Sequence, residues 1–281
     1  MRLKDITAMS EELGVLDLVT RAFSEVASTN MKKTRSGVLE NRDFITDISK
    51  IFEDVRAQYA KEFMKQSTSS KITFLAHNGK TVSVLLSSTS GLYGEIVAET
   101  FNIFKDEVAK NTSEITIVGK QGVRLFSALY PDKAYTFFDM DDTINTQTQV
   151  SDLARHIVQY DEIHLFYGKF HSVLVQKPEM LPIRSQIDIT PLAGKRIQYL
   201  FEPDLISILR FFESELFASL LTQTVQESTL SKMASRVLAM DASSARISLE
   251  RKRLSKLVNS LRHREDNKKQ LNSLSAILNV L

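Results

Sequence analysis

The stretch that decides the fold is residues 204–281, DLISILRFFESELFASLLTQTVQESTLSKMASRVLAMDASSARISLERKRLSKLVNSLRHREDNKKQLNSLSAILNVL. It follows Pro203, the last proline, and Gly194, the last glycine, so 78 residues pass without either helix breaker. Apolar residues recur at Leu205, Leu209, Phe212, Leu216 and Leu220, then at Met233, Val237 and Met240. They recur again at Leu254, Leu257 and Leu261, and at Leu271, Leu274, Leu278 and Leu281. Steps of three and four make a narrow seam on one long helix, the pattern of a coiled coil. At 1.5 Å per residue that helix would be a rod on the order of 110 Å long.

The opposite end of the chain has the same character. Ile6, Met9, Leu13, Leu16, Thr20, Phe23 and Ala27 step by three and four, and so do Val38, Asn41, Ile45, Ile48, Phe52, Val55 and Tyr59. Met31 and Thr34 join the two runs, and the break in the alternation there reads as a four-residue stutter. Gly14 and Gly37 weaken this helix by about 1 kcal/mol each without ending it. Two long seams at opposite ends of one chain predict an antiparallel helix pair.

Between them the period changes. Residues 71–76 and 81–87 read as strands around an Asn78-Gly79 turn, a strong hairpin signal. Residues 96–110 then read as a helix, 114–119 as a strand, 122–130 as a helix and 134–138 as a strand. A helix over 151–160 and a strand pair over 162–176, turning at Gly168, follow. Residues 179–197, with two prolines, read as a loop. Strands alternating with helices predict an α/β layer domain with a partly parallel sheet, Rossmann-like in class. The expected organisation is an N-terminal coiled-coil helix over 1–66, a central α/β foot over 67–200 and a C-terminal coiled-coil helix over 201–281.

Composition narrows the function classes. The chain of 281 residues contains no cysteine, which excludes disulfides and thiolate metal sites. No apolar stretch of about 18 residues exists to span a membrane, and the first residues lack the apolar core of a signal peptide. The net charge of +2 conceals an asymmetry, because residues 231–281 carry eleven Lys/Arg against four Asp/Glu and the remainder is net acidic. A basic helix of this kind faces water, nucleic acid or an acidic protein surface. The absence of tryptophan, of an RNP-like aromatic motif and of a glycine-rich basic tail argues against nucleic acid.

Asp139-Met-Asp141-Asp142-Thr143, directly after an apolar strand, resembles the haloacid-dehalogenase signature, in which one aspartate attacks a phosphoryl group beside a magnesium ion. The downstream lysine and acidic pair of that chemistry have no place in the few strands that remain. The expectation is a solvated loop in which Asp142 or Thr143 starts the next segment. Ser87-Ser-Thr-Ser-Gly-Leu-Tyr-Gly94 could cradle a phosphate with its backbone amides, though it lacks the Lys-Ser/Thr of a P-loop. The histidines His77, His156, His164, His171 and His263 have no metal-ligand spacing, although His164 and His171 could meet across a hairpin. No metal and no cofactor is expected.

Several stretches together resemble one family, the gamma subunit of F-type ATP synthases. The run Val19-Thr-Arg-Ala-Phe-Ser-Glu-Val-Ala-Ser-Thr-Asn-Met-Lys-Lys33 is similar to that family's first helix, and residues 87–94 sit where it has Ser-Ser-Asp-Arg-Gly-Leu-Cys-Gly-Gly. Tyr160-Asp-Glu-Ile…Tyr167-Gly-Lys-Phe170 is similar to its strand pair, and Phe201-Glu-Pro203 to the Glu-Pro before its last helix. Ser231-Lys-Met-Ala-Ser-Arg-Val-Leu-Ala-Met240 resembles Ser-Glu-His-Ala-Ser/Ala-Arg-Met-Val-Ala-Met. These anchors are colinear and span nearly the whole chain.

The resemblance implies a non-catalytic rotor stalk whose helix pair lies inside a hexameric ring of catalytic and non-catalytic nucleotide-binding subunits. Its foot would meet an epsilon-type subunit and the membrane rotor ring, at the cytoplasmic face of the membrane. Carried over by position, it implies contacts to the ring from Arg21, Lys32 and Lys33 on the first helix. On the second it implies contacts from Ser235, Arg236 and Met240, and from Asn259, Arg262 and His263 further along. Asn30, Glu25, Thr89-Ser90 and His263 depart from the family's residues, as does Asp266-Asn-Lys-Lys-Gln-Leu271. Such departures leave room for a gamma-like stalk in a specialised ATPase motor, and a non-rotary coiled-coil scaffold is the alternative from another class.

Overall fold

The computed structural model describes residues 3–63, 71–72, 78–142, 147–184, 187–188 and 205–278. Helix α1 (Leu3–Phe63) opens the chain and helix α5 (Leu205–Leu278) closes the described part. Between them lie β1 (Lys71–Ile72), β2 (Thr81–Leu86), α2 (Ile96–Lys110), β3 (Glu114–Val118), α3 (Lys120–Leu129) and β4 (Thr136–Phe138). α4 (Gln147–Ile157), β5 (Glu162–Phe170), β6 (Gln176–Arg184) and β7 (Ile187–Asp188) follow. The chain forms two compact units, Met1–Ser28 with Arg236–Leu281 and Thr29–Ser235, so both long helices contribute to each.

In the unit Thr29–Ser235 a five-stranded sheet has the order β4-β3-β2-β5-β6. The first four strands are parallel and β6 is antiparallel on the edge. Strand order reverses between β2 and β5, the switch point of a doubly wound sheet. Val82, Val84 and Leu86 of β2 face a core with Leu153 and Ile157 of α4 and Leu221 and Val225 of α5. Leu85 and Phe166 face the opposite core, with Phe101 and Phe104 of α2 and Phe126 of α3. Helices on both faces explain why β2 reads as an almost unbroken apolar run instead of an alternating one.

Three local expectations need correction. The Asn78-Gly79 signal does not make a hairpin: β2 is paired on both sides, by β3 and β5, while β1 pairs with β7. The turn is nonetheless built there, with Gly79 at φ +73° and the Lys80 amide donating to Asn78 Oδ1 at 2.9 Å. Gly168 is not a turn but an interior residue of β5, opposite Pro178; the chain reverses at residues 171–175. Strand β6 runs to Arg184 in place of the expected loop, because Pro178 and Pro182 lie on an edge strand whose outer side needs no amide donor. Residues 73–77 and 189–200, on which other parts of those expectations fall, lie outside the described residues.

In the unit Met1–Ser28 with Arg236–Leu281, contacts run in opposite directions along the two helices. A Cβ on Gly14 would meet Arg251, Ser244 Oγ donates to Asp17 Oδ1 at 2.6 Å, and Ser24 Oγ donates to Asp241 Oδ1 at 2.9 Å. The helices are therefore antiparallel, as their seams predicted. The seam itself differs from the apolar one. The sheltered positions on α1 are Ile6, Ser10, Leu13, Asp17, Thr20, Ser24 and Ala27, whereas Met9, Leu16 and Phe23 are exposed. In the second unit the sheltered positions are Met31, Thr34, Val38, Asn41, Ile45, Ile48, Phe52 and Val55. Each series keeps the alternation of three and four, and the positions lie in one heptad phase, so no stutter is required. The apolar reading holds at Ile6, Leu13, Thr20 and Ala27 and from Val38 to Val55, and misses only the alternate positions of the first run, where Ser10, Asp17 and Ser24 are sheltered and Asp17 and Ser24 have partners on α5.

On α5, Met240 and Leu254 are buried and Ile247 and Leu261 half-buried, but Leu257 and Leu271 are exposed. Among the described residues no helix is long and apolar enough to cross a membrane.

Candidate functional site

The loop at residues 87–94 leaves the carboxyl end of β2, where an α/β sheet ordinarily binds ligand. Its amides do cradle an anion, and that anion is the chain's own Asp142. The Thr89 amide donates to both carboxylate oxygens of Asp142 at 3.0 and 3.1 Å, and the Ser90 amide and hydroxyl donate to Oδ2 at 2.7 and 2.8 Å. Lys232 of α5 supplies the counter-charge, its Nζ 3.3 Å from Asp142 Oδ1 and donating to the Ser87 carbonyl at 2.9 Å. Both side chains are buried. Burial pushes the Asp142 carboxyl up, but the Lys232 charge and the Ser90 and Thr89 donors outweigh it and hold the group below the usual carboxylate range.

This geometry disposes of two sequence readings together. A nest filled by Asp142 is not a phosphate cradle, and Asp142 is buried instead of lying in a solvated loop. Asp139, the would-be nucleophile, is paired with Lys120 at 3.0 Å. What space is left, lined by Leu86, Ser87, Val225, Ser228 and Lys232 among others, is a cavity of about 10 Å³, room for no more than one water. Gly119, at φ +92°, brings α3 against this loop; a Cβ there would stand 2.6 Å from the Ser88 carbonyl carbon.

A second ion pair, with Glu227 buried and Arg42 half-buried, lies five residues earlier on α5. Glu227 accepts from Arg42 of α1, and the same Arg42 nitrogen donates to the Phe170 carbonyl at the end of β5 at 2.9 Å. Tyr167 packs nearby, its hydroxyl pushed up first by burial and then by the Glu227 charge. Sequence reasoning missed Arg42, Glu227, Asp142 and Lys232 as a set. A signal was present: between Leu221 and Arg236 hydroxylated and small residues occur on every side of the helix, the composition of a segment enclosed all round.

The residues carried over from the resemblance fall into two groups. Lys32, Lys33, Asn259, Arg262 and His263 are exposed, and Arg21 is two-thirds exposed while pairing with Asp17 at 2.9 Å. Ser235, Arg236 and Met240 are buried within the chain, and the Arg236 guanidinium lies over the Phe23 ring at 5.8 Å. Met240 and Asn259 sit nineteen residues apart on α5, roughly 28 Å along the axis, so these groups are successive stations and not one cluster. His164 and His171 do not face each other across a hairpin. They lie seven residues apart, with His164 inside β5 beside Glu162 at 3.3 Å and Glu107 at 3.5 Å, and His171 at the turn that follows. Among the described residues no group of His, Asp and Glu could hold a metal ion.

At this junction the converging charged groups, Asp142 with Lys232 and Glu227 with Arg42, are paired with each other. A family model described as ATP synthase matches residues 2–265. The ATP synthase gamma chain of Clostridium perfringens is 26% identical over 235 residues, covering 79% of this chain and 78% of its own length. That of Laribacter hongkongensis is 25% identical over 261 residues, 85% of each. The fold matches a chain in the central stalk and c-ring structure of Tetrahymena thermophila mitochondrial ATP synthase, with TM-score 0.61, 21% identity and coverage of 80% of this chain and 99% of that one. This chain belongs to the ATP synthase gamma-chain family, and as a gamma subunit it is a non-catalytic component, the central stalk of a rotary ATP synthase.

Proposed function

We propose that this gamma subunit turns inside a hexamer of nucleotide-binding subunits, and that two unlike exposed faces in the unit Met1–Ser28 with Arg236–Leu281 meet that hexamer. The observation that carries this reading is the exposure itself. Met9, Leu16, Val19, Phe23 and Val26 form a second heptad stripe on α1 that is exposed among the described residues. A contiguous apolar stripe on a long helix marks a protein contact. On α5, Arg246, Arg251, Lys252, Lys256 and Arg262 are exposed, which suits acidic loops on the surrounding subunits and steers register more than affinity. Arg21, Lys32, Lys33, Asn259 and His263 extend the polar contact set. Ser235, Arg236 and Met240 act differently, by fixing the spacing of the helix pair where it passes the ring.

On this reading the α/β domain meets an epsilon-type subunit and a membrane rotor ring, and the complex lies on the cytoplasmic face of its membrane. The test is native isolation of the tagged chain with intact-mass and ATPase measurements, followed by charge reversal at Lys32, Lys33 and Arg262 together. One copy per ATP-hydrolysing ring is expected, and reversal should impair coupling more than assembly. Recovery of the chain without nucleotide-binding partners, or unchanged torque in the reversed variant, would overturn the reading.

A further inference from the structure

We infer that the pairs Arg42–Glu227 and Asp142–Lys232 key α5 to the α/β domain against rotation, so that domain and helix turn as one body; this rests on the rotor reading above.

From residue 221 to 236 α5 is enclosed: Leu221 and Val225 pack in the core on one side, and Ser228, Thr229, Ser231 and Ser235 are small residues further along. Strand β5 approaches it through Gly168, where a Cβ would stand 2.8 Å from Ser231 Oγ and 2.7 Å from Ile96 Cγ1. Small side chains permit that approach, yet they form shallow ridges, and dispersion contacts between smooth surfaces are weak individually and non-directional.

The two ion pairs are directional. Glu227 and Lys232 are five residues apart, which at 3.6 residues per turn sets them about 140° apart around the axis and about 7.5 Å apart along it. Glu227 is held by Arg42, which also grips the carbonyl of Phe170 at the end of β5. On the far side, Lys232 is held by Asp142 and by the carbonyl of Ser87 at the end of β2. Turning α5 in either sense carries both Glu227 and Lys232 off their partners, and hydrogen bonds weaken steeply when misaligned. Stability is a poor reason for both pairs, since buried ion pairs can often be replaced by apolar residues of similar volume without loss. A mechanical role accounts for charges in a place where packing alone would hold the fold.

The test uses the assembled synthase with its hexamer immobilised and partner subunits stripped of accessible thiols. Leu174, 76% exposed at the turn between β5 and β6, is changed to cysteine, the only thiol in a chain that has none, and carries a bead. The variant Arg42→Met, Glu227→Met, Asp142→Asn, Lys232→Met neutralises both keys. It is expected to leave ATP hydrolysis intact while the torsional stiffness read from a stalled bead, and the torque against load, fall below wild type. Wild-type stiffness in that variant overturns the inference. If the fourfold variant does not assemble, each pair is neutralised alone with the same readout; a drop in each is expected, and full stiffness in both overturns it. A wild-type complex whose labelled domain never turns refutes the rotor reading instead, so the two failures are distinct.

Discussion

Lys232→Met removes the counter-charge of a buried carboxylate without emptying its space. Asp142 keeps its three donors from Thr89 and Ser90 but loses Lys232, the cation paired with it among the described residues. Breaking a buried pair by removing one partner costs about 3–5 kcal/mol, and the surviving donors place this case near 3 kcal/mol. The penalty depends on pH in a definite sense. In the native chain the carboxyl is held below its usual range, so its contribution is present above the unfolded value near 4 and is lost as pH falls through the folded one. Without Lys232, burial acts with less opposition and pushes the carboxyl upward, so the folded variant loses stability as pH rises. The difference between variant and wild type should therefore be smallest in acid, below the folded value of the wild-type carboxyl, larger at pH 4 and largest at neutral pH.

Amide exchange reports this locally, because the Thr89 and Ser90 amides donate to Asp142 itself. A 3 kcal/mol loss accelerates exchange through local opening by about a hundredfold or more. Acceleration under about threefold at pH 7, or an equal penalty at pH 4 and pH 7, would refute the assignment of Lys232 as the buried counter-charge.

Gly119→Ala should destabilise the chain by at least about 1–3 kcal/mol, from the positive φ alone, with the clash against Ser88 added; unchanged thermal unfolding would count against the close approach of α3 to the loop. Leu16→Gln should change the stability of the isolated chain by less than about 0.5 kcal/mol yet weaken assembly with the hexamer, since Leu16 is 53% exposed. Ile6→Gln, at a fully buried position, should cost about 2–4 kcal/mol in the isolated chain; similar effects from both would restore the apolar seam first read from sequence. Tyr160, pushed up to about 12 by burial and by its hydrogen bond to Glu114, favours the folded state while neutral. That contribution is present below about pH 10 and lost as pH rises toward 12, so Tyr160→Phe should flatten the alkaline unfolding profile in this window.

The rotor assignment and the internal keys involve different parts of the same helix. Beyond Arg236, α5 exposes basic residues; from Leu221 to Arg236 the helix is enclosed and its charges face inward. On the proposed reading the first would be met by the nucleotide-binding subunits and the second would carry the turning force from the α/β domain.

Local pattern alone determined the element types. Seventy-eight residues without Gly or Pro specify α5, the 96–110 helix was legible to the residue, and alternation of strand and helix specified a layered, partly parallel sheet. These are properties of periodicity and backbone chemistry, which act within a few residues. The colinear motifs likewise carried the family, because they are read in chain order. Tertiary structure decided everything that depends on which side of an element is covered. Asp17 and Ser24 line the seam while Leu16 and Phe23 face outward, because partners across the helix pair satisfy the polar groups. Prolines at 178 and 182 stand in a strand because that strand is an edge. Asp142, from a stretch that reads as a solvated loop, becomes a buried carboxylate only when the loop after β2 and Lys232, ninety residues further on, close around it. Burial of a charge is decided by its partners, and partners so distant in sequence leave no trace in local pattern.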